Sequence, residues 1–179
     1  MRWLNEPPSW QGDDARLAVR TGPGTDFWQR THYGFERDDG HALLRAVDGD
    51  FVAEVGIEGR YREQYDQAGL IVRASATHWV KAGIEYVDGA QLASVVVTRG
   101  FSDWSTARLL EPPERFGVRV TKEGTAVKVE GSNDDGTTWQ LMRLAWLGDH
   151  PTLDVGPMCA SPDGTGFDVT FHGLTVERR

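Results

Sequence analysis

Apolar and polar residues alternate with a period of two along most of the chain. Residues 51–58, 79–86 and 116–121 each follow this pattern, with every second side chain apolar. Such runs of roughly 5 to 8 residues are typical of β-strands that bury one face. No window sustains the three-four spacing of an amphipathic helix. The pattern therefore predicts an all-β protein built from many short strands.

Glycine turns separate these runs. Glycine adopts the positive φ angles of tight hairpin turns without strain, and the chain has 21 Gly and 8 Pro. The dipeptides predicted to lie between strands are Asp48-Gly49, Asp88-Gly89, Glu123-Gly124, Asp135-Gly136 and His172-Gly173. We expect one antiparallel sandwich or barrel domain over residues 1–179, with a first strand at Trp3–Trp10 and a last strand at Leu174–Val176 that pairs near it.

The stretch from Tyr65 to Ser105 is predicted to form an antiparallel meander with an unusual outer face. Val80, Ala82, Ile84 and Tyr86 form one apolar face, so Trp79, Lys81, Gly83 and Glu85 point away from the core. Neighbouring strands are expected to add further side chains to that outer face. These are Gln67, Ile71, Arg73, Ser94, Val96, Thr98 and, from a later strand, Arg119.

Composition narrows the classes of function. A formal net charge of −8 without any basic block excludes a surface that follows nucleic-acid phosphates. The single Cys159 cannot form an intramolecular disulfide and favours a reducing compartment. The N-terminus MRWLNEPPSWQGDD predicts no signal peptide, and no apolar run is long enough for a membrane span. We expect a cytoplasmic protein without nucleic-acid or membrane partners, without a cofactor and without a metal site, because its histidines lack ligand spacing.

Several segments together resemble domain of unknown function family 1349 (DUF1349, regulation-of-enolase-like), in the concanavalin A-like lectin/glucanase superfamily. The matching segments are Thr25-Asp26-Phe27-Trp28, Tyr33-Gly34-Phe35, Tyr65-Asp66-Gln67-Ala68-Gly69-Leu70, Trp79-Val80-Lys81-Ala82-Gly83-Ile84-Glu85-Tyr86, Ser94-Val95-Val96-Val97-Thr98 and Ser102-Asp103-Trp104-Ser105. The resemblance implies a two-sheet antiparallel jelly roll with a concave face. It implies no particular reaction, because the superfamily includes both lectins and glycoside hydrolases.

A polar cleft on the outer face of the meander is the candidate site. Lys81 and Arg119 would supply positive charge, while aromatic rings would stack against a sugar and amide or carboxylate groups would bind its hydroxyls. The candidate ligand-binding residues are Trp28, Tyr33, Gln67, Arg73, Trp79, Lys81, Glu85, Trp104 and Arg119. This set predicts a non-catalytic module for a small carbohydrate, a sugar phosphate or another polar or acidic metabolite.

Two alternatives remain open. The family label points to a regulatory module that binds a metabolic enzyme as its protein partner. A glycoside hydrolase would need a second carboxyl near Glu85, at roughly 5.5 Å for retention or 6.5–9.5 Å for inversion, and Asp66 or Asp103 could approach from other strands. The segment from Ser132 to Trp139 fits the SxDxGxTW pattern of sialidases. Because it occurs once, we interpret it as a β-hairpin turn.

Overall fold

The strand pattern in the sequence corresponds to an all-β fold. The computed structural model describes residues 1–179 and contains only strands, turns and irregular segments. The chain has no helix that could cross a membrane. In chain order the strands are β1 (Arg2–Leu4), β2 (Ser9–Gly12), β3 (Arg16–Arg20), β4 (Phe27–Gln29), β5 (Glu36–Asp38), β6 (His41–Asp48), β7 (Phe51–Gly59), β8 (Gln67–Ser75), β9 (His78–Val87), β10 (Ala90–Arg99), β11 (Ser102–Arg108), β12 (Phe116–Glu123), β13 (Ala126–Ser132), β14 (Gln140–Trp146), β15 (Thr152–Ala160) and β16 (Asp168–Arg178).

Two antiparallel sheets of seven strands each form a sandwich. The first sheet has the order β1-β6-β15-β8-β9-β10-β11, and the second has the order β14-β13-β12-β7-β16-β3-β2. Their facing sides share a core of 31 buried hydrophobic residues, to which β9 contributes Val80, Ala82 and Ile84. The predicted two-sheet fold is thus confirmed, and so is the inner face of β9 for these three residues, whereas Tyr86, predicted for the same face, is only half-buried and outside the core. The strands β4 and β5 pair only with each other and form a separate hairpin.

The chain termini differ from the prediction. The single strand expected at Trp3–Trp10 is wrong, because β1 and β2 belong to different sheets. Pro7 and Pro8 lie between them and lack the backbone N–H that a continuous ladder needs, and Asn5 has a φ of 56°. At the other end, β16 pairs with β3 and β7 rather than with the first strand.

The Gly-containing turns are confirmed with one exception. The dipeptides at 48–49, 88–89, 123–124 and 135–136 connect successive strands, as expected. His172-Gly173 instead lies within β16, where the register with β7 shifts between His172 and Thr175. Gly173 has a φ of 59°, so this position is a bulge in a continuous strand rather than a turn.

The segment from Ser132 to Trp139 is the turn between β13 and β14, as predicted. Asp134 accepts hydrogen bonds from the backbone N–H of Thr138 at 2.8 Å, from its hydroxyl at 2.6 Å and from the Ser132 hydroxyl at 2.8 Å. These bonds hold the pKa of Asp134 at about 2. The carboxylate is therefore committed to the turn and needs no external ligand.

Candidate functional site

The outer face of the first sheet carries a second, smaller hydrophobic cluster. Eight buried residues form it, and all but two lie on the sheet itself. The sheet contributes Ala42, Leu44, Ile71, Trp79, Val96 and Met158. The other members, Phe27 and Trp28, belong to the β4–β5 hairpin, which therefore lies against this face. This arrangement buries apolar side chains that alternation alone places on the outer side.

Polar bonds hold the hairpin on the sheet at both ends. Arg73 of β8 makes a bidentate pair with Asp38 of β5, with N–O distances of 2.7 and 2.8 Å. The backbone N–H of Gln29 donates to the Ser102 hydroxyl at 2.9 Å, and Ser102 in turn contacts Thr98 at 2.7 Å. Arg73 is thus a positioning residue for the hairpin.

A pocket of about 240 Å³ opens beside this covered area. Strands β8, β9 and β11 supply some of its side chains, and the hairpin and two loops supply the others. The lining residues are Asp26, Trp28, Tyr33, Phe35, Tyr65, Gln67, Lys81, Glu85, Trp104, Pro162 and Asp163. Pockets for drug-sized ligands span roughly 300–1,000 Å³, so this one suits a single smaller molecule.

Aromatic rings surround the pocket. Trp28 and Tyr33 pack edge to face with ring centroids 5.6 Å apart, and Tyr65 and Trp104 do so at 6.3 Å. The hydroxyls of Tyr33 and Tyr65 approach each other to 3.4 Å and join the two pairs. We call Trp28, Tyr33, Tyr65 and Trp104 the aromatic collar. The hydrogen bond with Tyr65 raises the pKa of Tyr33 to about 12, so this phenol stays neutral at physiological pH.

The base of the pocket holds a buried lysine. Lys81 Nζ donates to the Phe27 carbonyl at 2.8 Å and to Gln67 Oε1, and it lies 3.5 Å from Asp26 Oδ1. Only 5% of the Lys81 side chain and 12% of the Asp26 side chain are exposed. Because a buried charge is tolerated only when it is paired and hydrogen-bonded, Lys81 and Asp26 depend on each other.

Glu85 is a buried carboxyl with one oxygen engaged by the protein. The Ser94 hydroxyl donates to its Oε2 at 2.7 Å, and the Trp104 indole N–H donates to the same atom at 2.8 Å. No protein group donates to Oε1, and Glu85 lines the pocket. Burial raises the pKa of Glu85, and this effect is opposed in part by the charge of Lys81 and by the bonds from Ser94 and Trp104.

Gly83 leaves a recess under these polar groups. The recess has a volume of about 10 Å³ and is lined also by Gln67, Lys81 and Glu85. A Cβ atom at position 83 would lie 2.0 Å from the carbonyl oxygen of Ala68 on the neighbouring strand. Glycine is therefore required here, because the backbones of β8 and β9 approach too closely for any side chain.

The structure brings most of the predicted site residues together. Those that line one pocket are Trp28, Tyr33, Gln67, Lys81, Glu85 and Trp104. Trp79 does not reach it, since its ring is fully buried under Phe27, at 6.2 Å between centroids, and its indole N–H donates to the Ala76 carbonyl. Trp79 is thus a packing residue rather than a stacking surface for a ligand.

Arg119 lies on the opposite side of the sandwich. It belongs to β12 of the second sheet, where it pairs with Glu54 at 2.6 Å and stacks on Trp139 at 4.0 Å. The expectation that it joins Lys81 in one cleft is wrong, because a period of two predicts an outward face but not which sheet carries it. The pocket therefore contains one cation instead of two.

Sequence reasoning missed several lining residues. Phe35, Tyr65 and Pro162 lie outside the alternating runs, and so do the carboxylates of Asp26 and Asp163. For Asp26, Phe35 and Tyr65, the available signal was their place in the family-like segments around Trp28 and Gln67. Asp66, one of the two carboxylates considered beside Glu85 for a glycoside hydrolase, is fully buried, where it accepts hydrogen bonds from the backbone of Arg62 and Glu63 and from the Ser161 hydroxyl. The exposed Asp103 does not line the pocket either.

The two seven-stranded antiparallel sheets define an all-β sandwich protein. Residues 3–179 match the family described as "Protein of unknown function (DUF1349)", and the chain belongs to this family. The resemblance inferred from the sequence is thus confirmed.

Individual relatives agree with this assignment. The chain is 44% identical over 172 residues to "Regulation of enolase protein 1" of Saccharomyces cerevisiae, covering 94% of this chain and 85% of that protein. A crystal structure of a functionally unknown protein from Saccharomyces cerevisiae superposes with a TM-score of 0.95 at 40% identity, covering 99% of this chain and 96% of that one. The carbohydrate-binding module CBM66 from Bacillus subtilis superposes with a TM-score of 0.61 at 12% identity, covering 98% and 94% of the two chains. That last likeness is one of fold alone.

Proposed function

We propose that this protein is a non-catalytic binding module of the cytoplasm that takes one small carbohydrate into the pocket beside the β4–β5 hairpin. The observation that carries the proposal is the buried Glu85, whose free oxygen lines a pocket enclosed by aromatic rings. Flat rings and a few fixed polar groups are the usual means of binding sugars. The single thiol, on the buried Cys159, supports the reducing location.

The charges in the pocket favour an uncharged or basic sugar over an acidic one. Lys81 is already paired with Asp26, and the other two acidic side chains of the pocket, Glu85 and Asp163, bring no positive charge. A phosphate or carboxylate would face these carboxylates without a free cation to balance it. The proposal therefore no longer includes the sugar phosphates and acidic metabolites that the sequence analysis suggested as ligands.

A thermal-shift series with monosaccharides tests the proposal. A ligand at about 100 times its Kd stabilises the folded state by roughly 2.7 kcal/mol, which raises the unfolding midpoint measurably. Glu85→Gln should abolish the shift, while Glu123→Gln, an exposed change of equal charge on β12, should leave it unchanged. Equal shifts in both variants would refute binding in this pocket.

Chromatography of the incubated sugar then detects any product and decides between a binding protein and a glycoside hydrolase.

A regulatory role is the second candidate, and it rests on a different observation. The relative at 44% identity is named for regulation of enolase, so enolase is the partner to test first. One edge of the second sheet exposes an apolar stripe on β14, which consists of Leu141, Leu144 and Trp146, exposed by 64%, 66% and 59%. Exposed apolar stripes of this kind are typical of protein-binding surfaces.

Direct binding to purified enolase tests this second role. We expect the wild-type protein to bind in an interferometry measurement and the double variant Leu141→Ser, Leu144→Ser to lose the signal. Glu85→Gln serves as the control, since the pocket and the stripe lie on different sheets. Absence of binding by the wild type would remove enolase as the partner, and unchanged binding by the double variant would remove the stripe as the surface.

A further inference from the structure

The polar groups of the pocket have almost no hydrogen left to donate. A lysine ammonium has three N–H donors and a glutamine amide has two. All those of Lys81 face protein acceptors, namely the Phe27 carbonyl, Gln67 Oε1 and Asp26. Gln67 Nε2 donates to Asp26 Oδ1 at 3.3 Å and to the Tyr65 carbonyl at 3.2 Å. Neither side chain can therefore donate to a ligand without breaking a bond inside the protein.

The indole N–H groups of the collar are committed as well. Trp104 donates to Glu85 Oε2 at 2.8 Å, and Trp28 donates to the Thr31 carbonyl at 2.9 Å. The remaining candidates are the hydroxyls of Tyr33 and Tyr65, one of which can donate to the other across 3.4 Å. With Glu85 ionised, the donor supply of the pocket is thus about one phenol O–H, since a carboxylate only accepts hydrogen bonds.

Acceptors, in contrast, are free. Glu85 uses only Oε2, and Asp26 uses only Oδ1, which accepts from the Phe27 N–H, from Gln67 and from Lys81. Asp163 is exposed at the rim and receives no side-chain hydrogen bond. An acceptor-rich, donor-poor pocket selects a ligand that brings its own N–H or O–H donors.

Charge refines this choice. No cation bonds the carboxyl of Glu85 directly, because Lys81 bonds Asp26, Gln67 and the Phe27 carbonyl, and burial opposes ionisation of Glu85 more than the charge of Lys81 favours it. A ligand ammonium beside Oε1 would compensate that buried charge. Aromatic rings around a small pocket also attract cations through their electron-rich faces. A hydroxyl offers the hydrogen bond but neither of these electrostatic gains.

We infer that the ligand is a polyhydroxylated amine, such as an amino sugar, whose protonated amino group binds Glu85 Oε1. This inference rests on the proposed carbohydrate-binding function and specifies its ligand class. The sugar ring lies within the aromatic collar, and its hydroxyls donate to Asp26 Oδ2 and Asp163. Binding of the cation favours the ionised form of Glu85, so complex formation releases a proton wherever the free carboxyl is protonated.

Titration calorimetry with three sugars of one skeleton tests the inference. Glucosamine carries the ammonium group, N-acetylglucosamine has the same nitrogen without its charge, and glucose has a hydroxyl in its place. We expect glucosamine to bind at least tenfold more tightly than either neutral sugar. Glu85→Gln should reduce this ratio to near one, whereas Glu123→Gln should preserve it. For the wild type, titrations in two buffers of different ionisation enthalpy, at an acidic pH where glucosamine is fully protonated and the free Glu85 carboxyl still carries its proton, should show proton release that Glu85→Gln abolishes.

The possible results separate the inference from the function it rests on. Equal or tighter binding of the neutral sugars would overturn the amine assignment and leave the carbohydrate-binding proposal intact. A fourth titration, with glucose 6-phosphate, would also overturn it if this sugar bound more tightly than glucosamine, since the pocket would then prefer an anion. No binding of any of these sugars would refute both proposals. Selective binding of glucosamine that survives in Glu85→Gln would move the ammonium away from Glu85 and contradict the assigned contact.

Discussion

The outer face of the first sheet has two halves that are built by the same strands but differ in chemistry. In the dry half, Ile71, Trp79 and Val96 pack under the β4–β5 hairpin and exclude water. In the wet half, Gln67 and Glu85 lie on the same strands β8 and β9 and line the pocket. Lys81 lies between the two halves, because its ammonium nitrogen is 5.6 Å from the centroid of the Trp79 ring and donates to the Phe27 carbonyl of the hairpin.

The difference between the halves shows what a covering hairpin does to a sheet. Where Phe27 and Trp28 reach the sheet, apolar side chains become a second core. Where the hairpin ends, its aromatic residues form one wall of the pocket, and the opposite wall comes from Tyr65 and Trp104. A ligand site thus arises at the edge of a packed platform, whose rigidity holds the polar groups in place.

The strongest test of this comparison replaces one tryptophan in each half. Trp79→Ala should lower the free energy of unfolding by about 3–5 kcal/mol, because it opens a large cavity in a fully buried cluster. Trp104→Ala should lower the free energy of unfolding by less than half as much, since that residue is 37% exposed, but it should weaken sugar binding. Urea unfolding measures both losses. Equal losses would mean that the wet half is packed as tightly as the dry half.

The boundary between the halves is tested at the buried ion pair. Lys81→Met should lower the free energy of unfolding by about 3 kcal/mol, because it leaves Asp26 without its cation in a place that is largely closed to water. Adding Asp26→Asn should recover part of that loss, and a double-mutant cycle by urea unfolding measures the coupling. If the two substitutions changed the free energy of unfolding additively, Lys81 and Asp26 would not depend on each other. Lys81 would then belong to the pocket rather than to the packed structure that supports it.

A smaller effect is expected where the hairpin is tied to the sheet. Arg73→Met should cost about 1–2 kcal/mol, because it removes a bidentate pair with Asp38, whose side chain is partly exposed. It should also weaken sugar binding, since Trp28 and Tyr33 lie on or next to the hairpin strands. Arg119→Met is the matched control and should cost about 0–1 kcal/mol without any change in affinity. An unchanged affinity in Arg73→Met would show that the collar keeps its position without this anchor.

The fold and part of the pocket were predictable from local pattern. Alternation with a period of two is a local property, so it correctly placed Lys81 and Glu85 on the outer face of β9. It could not show that Trp79, on that same face, would be covered by a hairpin from much earlier in the chain, as the bond from Lys81 to Phe27, 54 residues away, illustrates. It also could not assign Arg119 to a sheet, because strand order depends on long-range pairing. The loop carboxylates follow no period at all.

The last prediction concerns the dependence of stability on pH through Glu85, for which the structure gives a direction. Burial raises the pKa of this carboxyl above its unfolded value of about 4.3. At pH values below the pKa of the unfolded state, Glu85 is protonated in both the folded and the unfolded protein. Its ionisation then takes nothing from the free energy of unfolding. As the pH rises through the folded pKa, the native protein must ionise a buried carboxyl, and stability is lost. Glu85→Gln retains acceptors for Ser94 and Trp104 but has no proton to lose.

The stability of Glu85→Gln relative to wild type should therefore grow with pH. We expect the difference between the two unfolding free energies to be constant below about pH 4, near the unfolded pKa, and to shift in favour of the variant at higher pH. Urea unfolding between pH 4 and 8 measures this difference, with Glu123→Gln as the control that stays flat. A shift in the opposite direction would mean that Lys81 stabilises the ionised carboxylate in the free protein. Glu85 would then belong to the framework with Asp26, and the wet half would have no unbalanced charge to offer a ligand.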